Sequence, residues 1–174
     1  KGLSIKSTFG ADFFTENYDS FQPTYEFKIR GTEQVYRSSA KAQANSSNST
    51  SLKWSNENIL TFRKEKGPHR FEIMGGQTTQ GYRIDNISGQ KLDFASNNIK
   101  ELNAGVEIVS LGGGASEWAL MSFLGRVNYS LLDRYLFQMN IRHDGSSRLA
   151  PENRWKTFPS FSAGWRDSEE GFSP

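Results

Sequence analysis

Between Glu117 and Arg166 apolar and polar residues alternate with a period of two. Phe123, Val127, Tyr129 and Leu131 share one phase, and Arg126, Asn128 and Ser130 share the other. After Leu131-Leu132-Asp133-Arg134 the alternation resumes, with Tyr135, Phe137, Met139 and Ile141 set against Gln138, Asn140, Arg142 and Asp144. A third run sets Trp155, Phe161, Ala163 and Trp165 against Lys156, Ser160, Ser162 and Arg166. Such alternation marks a strand with one apolar and one polar face. Three long strands in succession with aromatic ends match the wall of a membrane β-barrel, apolar toward lipid and polar toward the lumen.

Three more strands are expected upstream, at about Leu3 to Thr15, Ser51 to Arg63 and His69 to Gln80. The first has Leu3, Ile5, Phe9, Ala11 and Phe13 in phase, and the second Leu52, Trp54, Leu60 and Phe62. In the third, Phe71, Ile73 and Gly75 oppose Arg70, Glu72 and Gly76. The links alternate in length. Lys64 to Pro68 and Leu131 to Arg134 are short; Glu16 to Thr50, Gly81 to Ser116 and Gly145 to Arg154 are long. In an up-and-down antiparallel meander this gathers the short turns at one end, the pattern of bacterial outer-membrane barrels.

The long links differ in character. Ser38 to Ser51 is a polar, low-complexity run with nothing to bury, expected as a mobile tip or a strand extension into solvent. Its sequons at Asn45 and Asn48 mean little in a bacterial protein. Residues 96–105 read as one short helix, with Ser96 as N-cap, Ile99 and Leu102 on one face, and Gly105 as C-cap. Gly112-Gly113-Gly114 reads as a flexible joint before strand four, and Asp144-Gly145-Ser146-Ser147 as an Asx-type turn with Gly145 at positive φ.

The same blocks carry a family resemblance. The segments Ser122 to Ser130, Asp133-Arg134-Tyr135-Leu136, Arg142 to Arg148, Asn153-Arg154-Trp155 and Phe158 to Arg166 resemble, in order and spacing, the barrel of SusC-type TonB-dependent outer-membrane transporters of the Bacteroidetes. Gly2 to Gly10, Asn58 to Phe62 and Gly75-Gly76-Gln77 add weaker similarity, so the resemblance spans nearly the whole chain. It departs at Leu149, where an aromatic is usual. The resemblance implies a 22-stranded barrel with an N-terminal plug, a SusD-like lipoprotein lid, energy from TonB, and active import of oligosaccharide or peptide across a Gram-negative outer membrane. Residues 1–174 would then be a single partial domain, a barrel segment without the plug and the remaining strands.

In that frame Trp54, Phe123, Val127, Tyr129, Tyr135, Phe137, Met139, Ile141, Trp155, Phe161 and Trp165 face lipid or form interfacial girdles. Arg126, Asn128, Gln138, Asn140, Arg142, Lys156 and Arg166 line the lumen or touch the plug. Tyr18, Phe21, Tyr25, Tyr36 and Tyr82, in the long links, are the candidate sugar contacts. The competing reading of the alternation is the solvated face of an ordinary half-buried sheet. A soluble extracellular β-domain that binds carbohydrate is the alternative function; it requires a sandwich with its apolar faces turned inward.

Composition narrows the alternatives. Hydrophobic residues make up 35% and mean hydropathy is -0.66, yet aromatics reach 13%, as suits a barrel with a polar inward face and polar loops. A net charge of +2 gives no nucleic-acid footprint. The absence of cysteine excludes disulfide frameworks and thiolate chemistry. His69 and His143, the 2 histidines, lie in different strands and fall short of a zinc ligand set. Glu169 and Glu170 point to opposite faces of any strand, and no serine has a His/Asp partner, so neither an enzyme nor a cofactor is expected. No stretch reaches the ~18 apolar residues of a membrane helix, a test blind to strands of about 9–11 residues. The chain reads as a fragment that begins in mid-pattern, with no signal peptide expected at Lys1. Alone, handled as a soluble protein, it would expose two edges and an apolar face, and either dimerise or fold its links over the sheet.

Overall fold

A computed structural model describes residues 2–37 and 41–167. Glu169 and Glu170 lie outside the described residues. Among the described residues the chain is nearly all antiparallel β. Strands β1 (Gly2–Gln22), β4 (Gln43–Lys66), β5 (His69–Phe94), β6 (Gly105–Leu131), β7 (Tyr135–Ser146) and β8 (Trp155–Trp165) form one 6-stranded sheet in the order β1-β4-β5-β6-β7-β8. Strands β2 (Glu26–Lys28) and β3 (Val35–Arg37) form a separate ribbon. Sequence neighbours in the sheet are spatial neighbours, so the up-and-down meander read from the link lengths is present.

Both short links are tight turns with the backbone their geometry requires. Gly67 sits at φ 56, the positive φ needed at the first central position of a two-residue hairpin loop. Leu132 and Asp133 take φ 56 and 57, and the Arg134 N–H donates to the Leu131 carbonyl at 3.0 Å, closing the turn. Two consecutive positive φ values are the type I′ signature, whose twist matches the flanking strands. Leucine enters that region only at a steric cost.

Several expectations change. Four strands run far beyond their alternating segments: β1 continues to Gln22, β4 begins at Gln43, β5 continues to Phe94 and β6 begins at Gly105. Most of the two longest expected links is therefore strand. Tyr18, Phe21, Tyr36 and Tyr82 lie in strands, leaving Tyr25 alone of that set between elements. Of the two alternatives for the polar run, residues 43–51 take the strand extension, and residues 38–40 lie outside the described residues. Polar side chains do not prevent pairing when neighbouring strands satisfy the backbone. Gly112, Gly113 and Gly114 lie inside β6 rather than in a joint, since glycine weakens a strand without ending it. No α-helix forms over residues 96–105. The Ser96 hydroxyl instead accepts from the Asn98 N–H at 3.2 Å, and one 3-10 turn, Leu102–Ala104, precedes Gly105. With Ile99 46% exposed, the segment buries no stripe that would support a helix. The Asp144 turn is also displaced. β7 runs on through Ser146, Gly145 is not at positive φ, and the chain turns at Ser147 and Arg148.

The chain divides into two units. Unit 1 comprises Lys1–Asp12, Lys53–Tyr82 and Glu117–Pro174, and unit 2 comprises Phe13–Leu52 and Arg83–Ser116. In unit 2 Phe21 meets Phe94 edge-on at 5.3 Å, and Phe27 stacks on Tyr36 at 5.7 Å across the ribbon. Ala42 and Ala44, in the low-complexity run expected to bury nothing, are each 2% exposed. Lys41 forms an ion pair with Glu107, which raises the Lys41 pKa, and Arg83 holds the Asp85 carboxyl below its usual range.

A conventional core is absent among the described residues: the only buried apolar side chains are those two alanines. Large apolar side chains stand on the open surface, among them Phe161 at 73% and Trp165 at 58% exposure. The packed double layer that the soluble sandwich requires is not what the described residues form.

Candidate functional site

The two faces of the sheet in unit 1 carry the candidate residues. Pairing of β6 with β7 is unbroken from Leu120↔Ser146 to Leu131↔Tyr135. An unbroken register keeps phase and face locked together, because a slip of one residue would exchange the faces. Tyr129 lies opposite Phe137, Val127 opposite Met139, Gly125 opposite Ile141, and Phe123 opposite His143. On β8, Trp165 lies opposite Tyr135, Ala163 opposite Phe137, Phe161 opposite Met139, and Trp155 opposite Gly145. The apolar candidates of these three strands therefore share one face.

The face extends across β5, where Phe71 stacks on Tyr129 at 4.6 Å. Near the turns, His69, Phe71, Tyr129 and Phe137 form a continuous ring row, and His69 Nδ1 meets the Tyr129 hydroxyl at 2.8 Å. Toward the other end Trp155 stacks on His143 at 4.9 Å and on Phe123 at 6.3 Å. Trp54 belongs to the same phase as Leu60 and Phe62, and its indole covers Gly81.

A polar belt, missed in the sequence, bounds this face. Ser7 donates to Asn58 Oδ1 at 2.7 Å, and Asn58 Nδ2 reaches Gln77 Oε1 at 3.2 Å and Asn56 Oδ1 at 2.6 Å. Gln77 continues to Thr79, and farther along the sheet His143 Nδ1 meets Thr157 Oγ1 at 2.8 Å. All share the phase of the apolar row. The belt begins about eight residues from the hairpin turns, roughly 20 Å at ~3.3 Å rise and a ~40° tilt. That compares with the ~25 Å apolar band of a membrane barrel.

The opposite face is a polar network. Arg126 Nε donates to Asn140 Oδ1 at 2.7 Å, Gln138 donates to the same oxygen at 3.2 Å, and Asn140 Nδ2 donates to Ser160 Oγ at 3.1 Å. Asn128 Nδ2 donates to Glu72 Oε1 at 3.1 Å, and Arg63 pairs with the other oxygen of that carboxylate. Arg142 bonds Asp144 at 2.7 Å and Ser122 at 3.4 Å. Lys156 lies opposite Asp144 and donates to Asn153 at 3.4 Å. Of the polar candidates only Arg166 stands apart: it falls just past β8, with its N–H on the Arg134 carbonyl at 2.9 Å.

The polar face also carries an aromatic group that alternation should have flagged. Trp118 has the phase of Ser122 and Arg126, not of Phe123. It stacks with Tyr82 at 5.9 Å, and the Arg148 guanidinium carbon lies 5.2 Å from its ring centre. No group of three or more His, Asp or Glu side chains that could hold a metal ion occurs among the described residues.

A single-layer antiparallel sheet with an exposed, aromatic-edged apolar face and a hydrogen-bonded polar face defines a segment of β-barrel wall. Known proteins agree. The TonB-dependent receptor P3 of Formosa agariphila is 29% identical over 173 residues, covering 98% of this chain and 16% of that protein. The TonB-dependent receptor SusC of Bacteroides thetaiotaomicron is 39% identical over 114 residues, covering 65% of this chain and 11% of that protein. A solved structure of the RagAB peptide importer in its closed-closed state superposes with a TM-score of 0.85 at 20% identity, over 98% of this chain and 18% of that one. No family model matches the chain. The chain is similar to a segment of SusC-type TonB-dependent receptors, and it spans less than a fifth of the relatives it matches.

Proposed function

We propose that this chain forms part of the outer-membrane barrel wall of a TonB-energised importer of large nutrients, either oligosaccharides or peptides. Residues 1–174 act as one barrel segment of the longer protein. A SusD-like lipoprotein closes the outer end, and TonB acts from the periplasmic side. Trp54, Phe123, Val127, Tyr129, Tyr135, Phe137, Met139, Ile141, Trp155, Phe161 and Trp165 face the bilayer or its two interfaces. Arg126, Asn128, Gln138, Asn140, Arg142 and Lys156 face the lumen, with Arg166 at the periplasmic rim. The register carries the reading, since it keeps Val127, Met139 and Phe161 on one exposed face and Asn128, Gln138 and Ser162 on the other. In water such a face is a liability, whereas in a bilayer it is the surface a barrel requires.

The test uses the full-length protein in bilayers, with a single tryptophan retained at Trp165 or Trp54 and quenchers placed along the acyl chains. Quenching of Trp165 and Trp54 by shallow probes on opposite leaflets is expected. No quenching from any depth, or a protein absent from the outer-membrane fraction, overturns the reading. Loss of nutrient uptake on deletion of TonB checks the energy source.

A further inference from the structure

We propose that Tyr82, Trp118 and Arg148 form a binding subsite for an acidic saccharide, a sugar ring carrying a carboxylate or sulfate; this deepens the import reading and rests on it. The bilayer accounts for aromatic residues on the apolar face but not for these. Trp118 and Tyr82 lie on the polar face, about thirteen residues from the hairpin turns, beyond the polar belt and so beyond the ~25 Å apolar band. Their rings, on adjacent strands, stack with centroids 5.9 Å and planes 26° apart. Such a platform suits the C–H face of a pyranose.

Arg148 supplies the charge selectivity. Its guanidinium carbon lies 5.2 Å from the Trp118 ring centre, and no carboxylate lies within ion-pair distance of it among the described residues. A guanidinium stacked on an indole keeps its in-plane N–H fork available for a planar anion. The backbone beneath it is tied down. The Ser147 N–H donates to the Ala119 carbonyl at 2.9 Å, the Ala119 N–H donates to Ser147 Oγ at 2.8 Å, and the Arg148 N–H donates to Ser146 Oγ at 3.3 Å. This two-way clasp joins the Arg148 turn to the residue beside Trp118, so the fork is placed before a ligand arrives. A peptide is the weaker fit. β5 and β6 are interior strands whose backbone groups are spent on their neighbours, which leaves no edge for strand addition.

The experiment is binding of tetragalacturonate, a neutral glucan tetrasaccharide and a glutamate-rich tetrapeptide to the full-length protein in detergent, followed by calorimetry. Wild type should favour the uronate. Trp118→Ala should weaken it about tenfold or more, and Arg148→Gln should do so for the uronate while changing the neutral glucan less than about twofold. Trp118→Phe, which keeps a ring, and Arg148→Lys, which keeps charge but not the fork, should fall between; they also serve if the alanine variant does not fold. Preference for the neutral glucan or the peptide, or uronate binding indifferent to both positions, overturns the subsite. An outer-membrane protein with that result leaves the import reading standing, whereas absence from the outer membrane removes both.

Discussion

The Leu132 N–H donates to the Pro68 carbonyl at 2.8 Å. One residue sits at the tip of the β6–β7 hairpin and the other at the tip of the β4–β5 hairpin, so the two short turns are hydrogen-bonded neighbours at one end of the sheet. The link lengths implied this grouping, and the bond makes it physical. It also uses up a turn donor and acceptor that tips ordinarily leave to water.

The tip carries removable strain. Leu132 holds φ 56 and is 53% exposed, so it accepts an unfavourable backbone for little burial. Leu132→Asn or Leu132→Gly should stabilise the refolded full-length barrel by about 0.5–1 kcal/mol, because these residues enter that region at lower cost. Leu132→Pro should cost about 3 kcal/mol or more, since proline forbids the φ and removes the donor to Pro68. Urea titration in lipid vesicles reads both signs.

Charge placed on the two faces should have opposite consequences. Val127 lies about midway between the hairpin turns and the polar belt, opposite Met139. Val127→Arg in the full-length protein should cost about 2–4 kcal/mol in vesicle folding, the range for a cation near the bilayer midplane. Asn128→Arg, one residue on, should cost well under half as much because it points to the wet side. Equal costs at both positions would remove the lipid assignment of the Val127 face.

Gly145 makes room for a tryptophan. A Cβ there would lie 2.8 Å from three carbons of the Trp155 indole, its cross-strand partner. Gly145→Ala should push the ring off His143 and Phe123 and cost about 1–3 kcal/mol, the range for overpacking. In a variant retaining Trp155 as the single tryptophan, its emission maximum should shift. An unmoved spectrum at unchanged stability would mean that the ring does not rest on that glycine.

Glu72 anchors the polar face. Its carboxylate takes Arg63 on one oxygen and Asn128 Nδ2 on the other, while Asn128 Oδ1 is buried with no partner. Glu72→Leu removes acceptors from both donors and should cost about 1–3 kcal/mol. The double variant Glu72→Leu/Asn128→Leu should recover part of that loss by removing the stranded amide. A double-mutant cycle in the same vesicle assay measures the coupling.

The alternating segments were legible because one face needs apolar residues and the other polar ones, so phase betrays face from Phe123 to Trp165. Strand order and the grouping of turns followed from link lengths. What alternation could not reveal was how far the strands run. In residues 43–51 and 83–116 neither face is uniformly apolar, and backbone pairing alone extends β4, β5 and β6. The Ser7–Asn58–Gln77 belt was hidden because its members come from three strands and meet only through register. Trp118 was legible in principle, since an aromatic in the phase of Arg126 breaks the pattern.

The excised chain should not behave as a free monomer. Phe161, Phe137, Met139 and Ile141 form a contiguous exposed apolar surface on β7 and β8, at 73%, 51%, 45% and 46% exposure. Surfaces of that kind seek a partner in water. In detergent-free buffer the 174-residue chain should elute as a dimer or larger species by size exclusion with light scattering. Added detergent should disperse it by covering the same face. Met139→Lys/Phe161→Lys should lower the association, because two ammonium groups then lie on the surface to be buried. A dispersed wild-type monomer without detergent would mean that the chain covers this face itself, so the full-length barrel would be needed to present it to lipid.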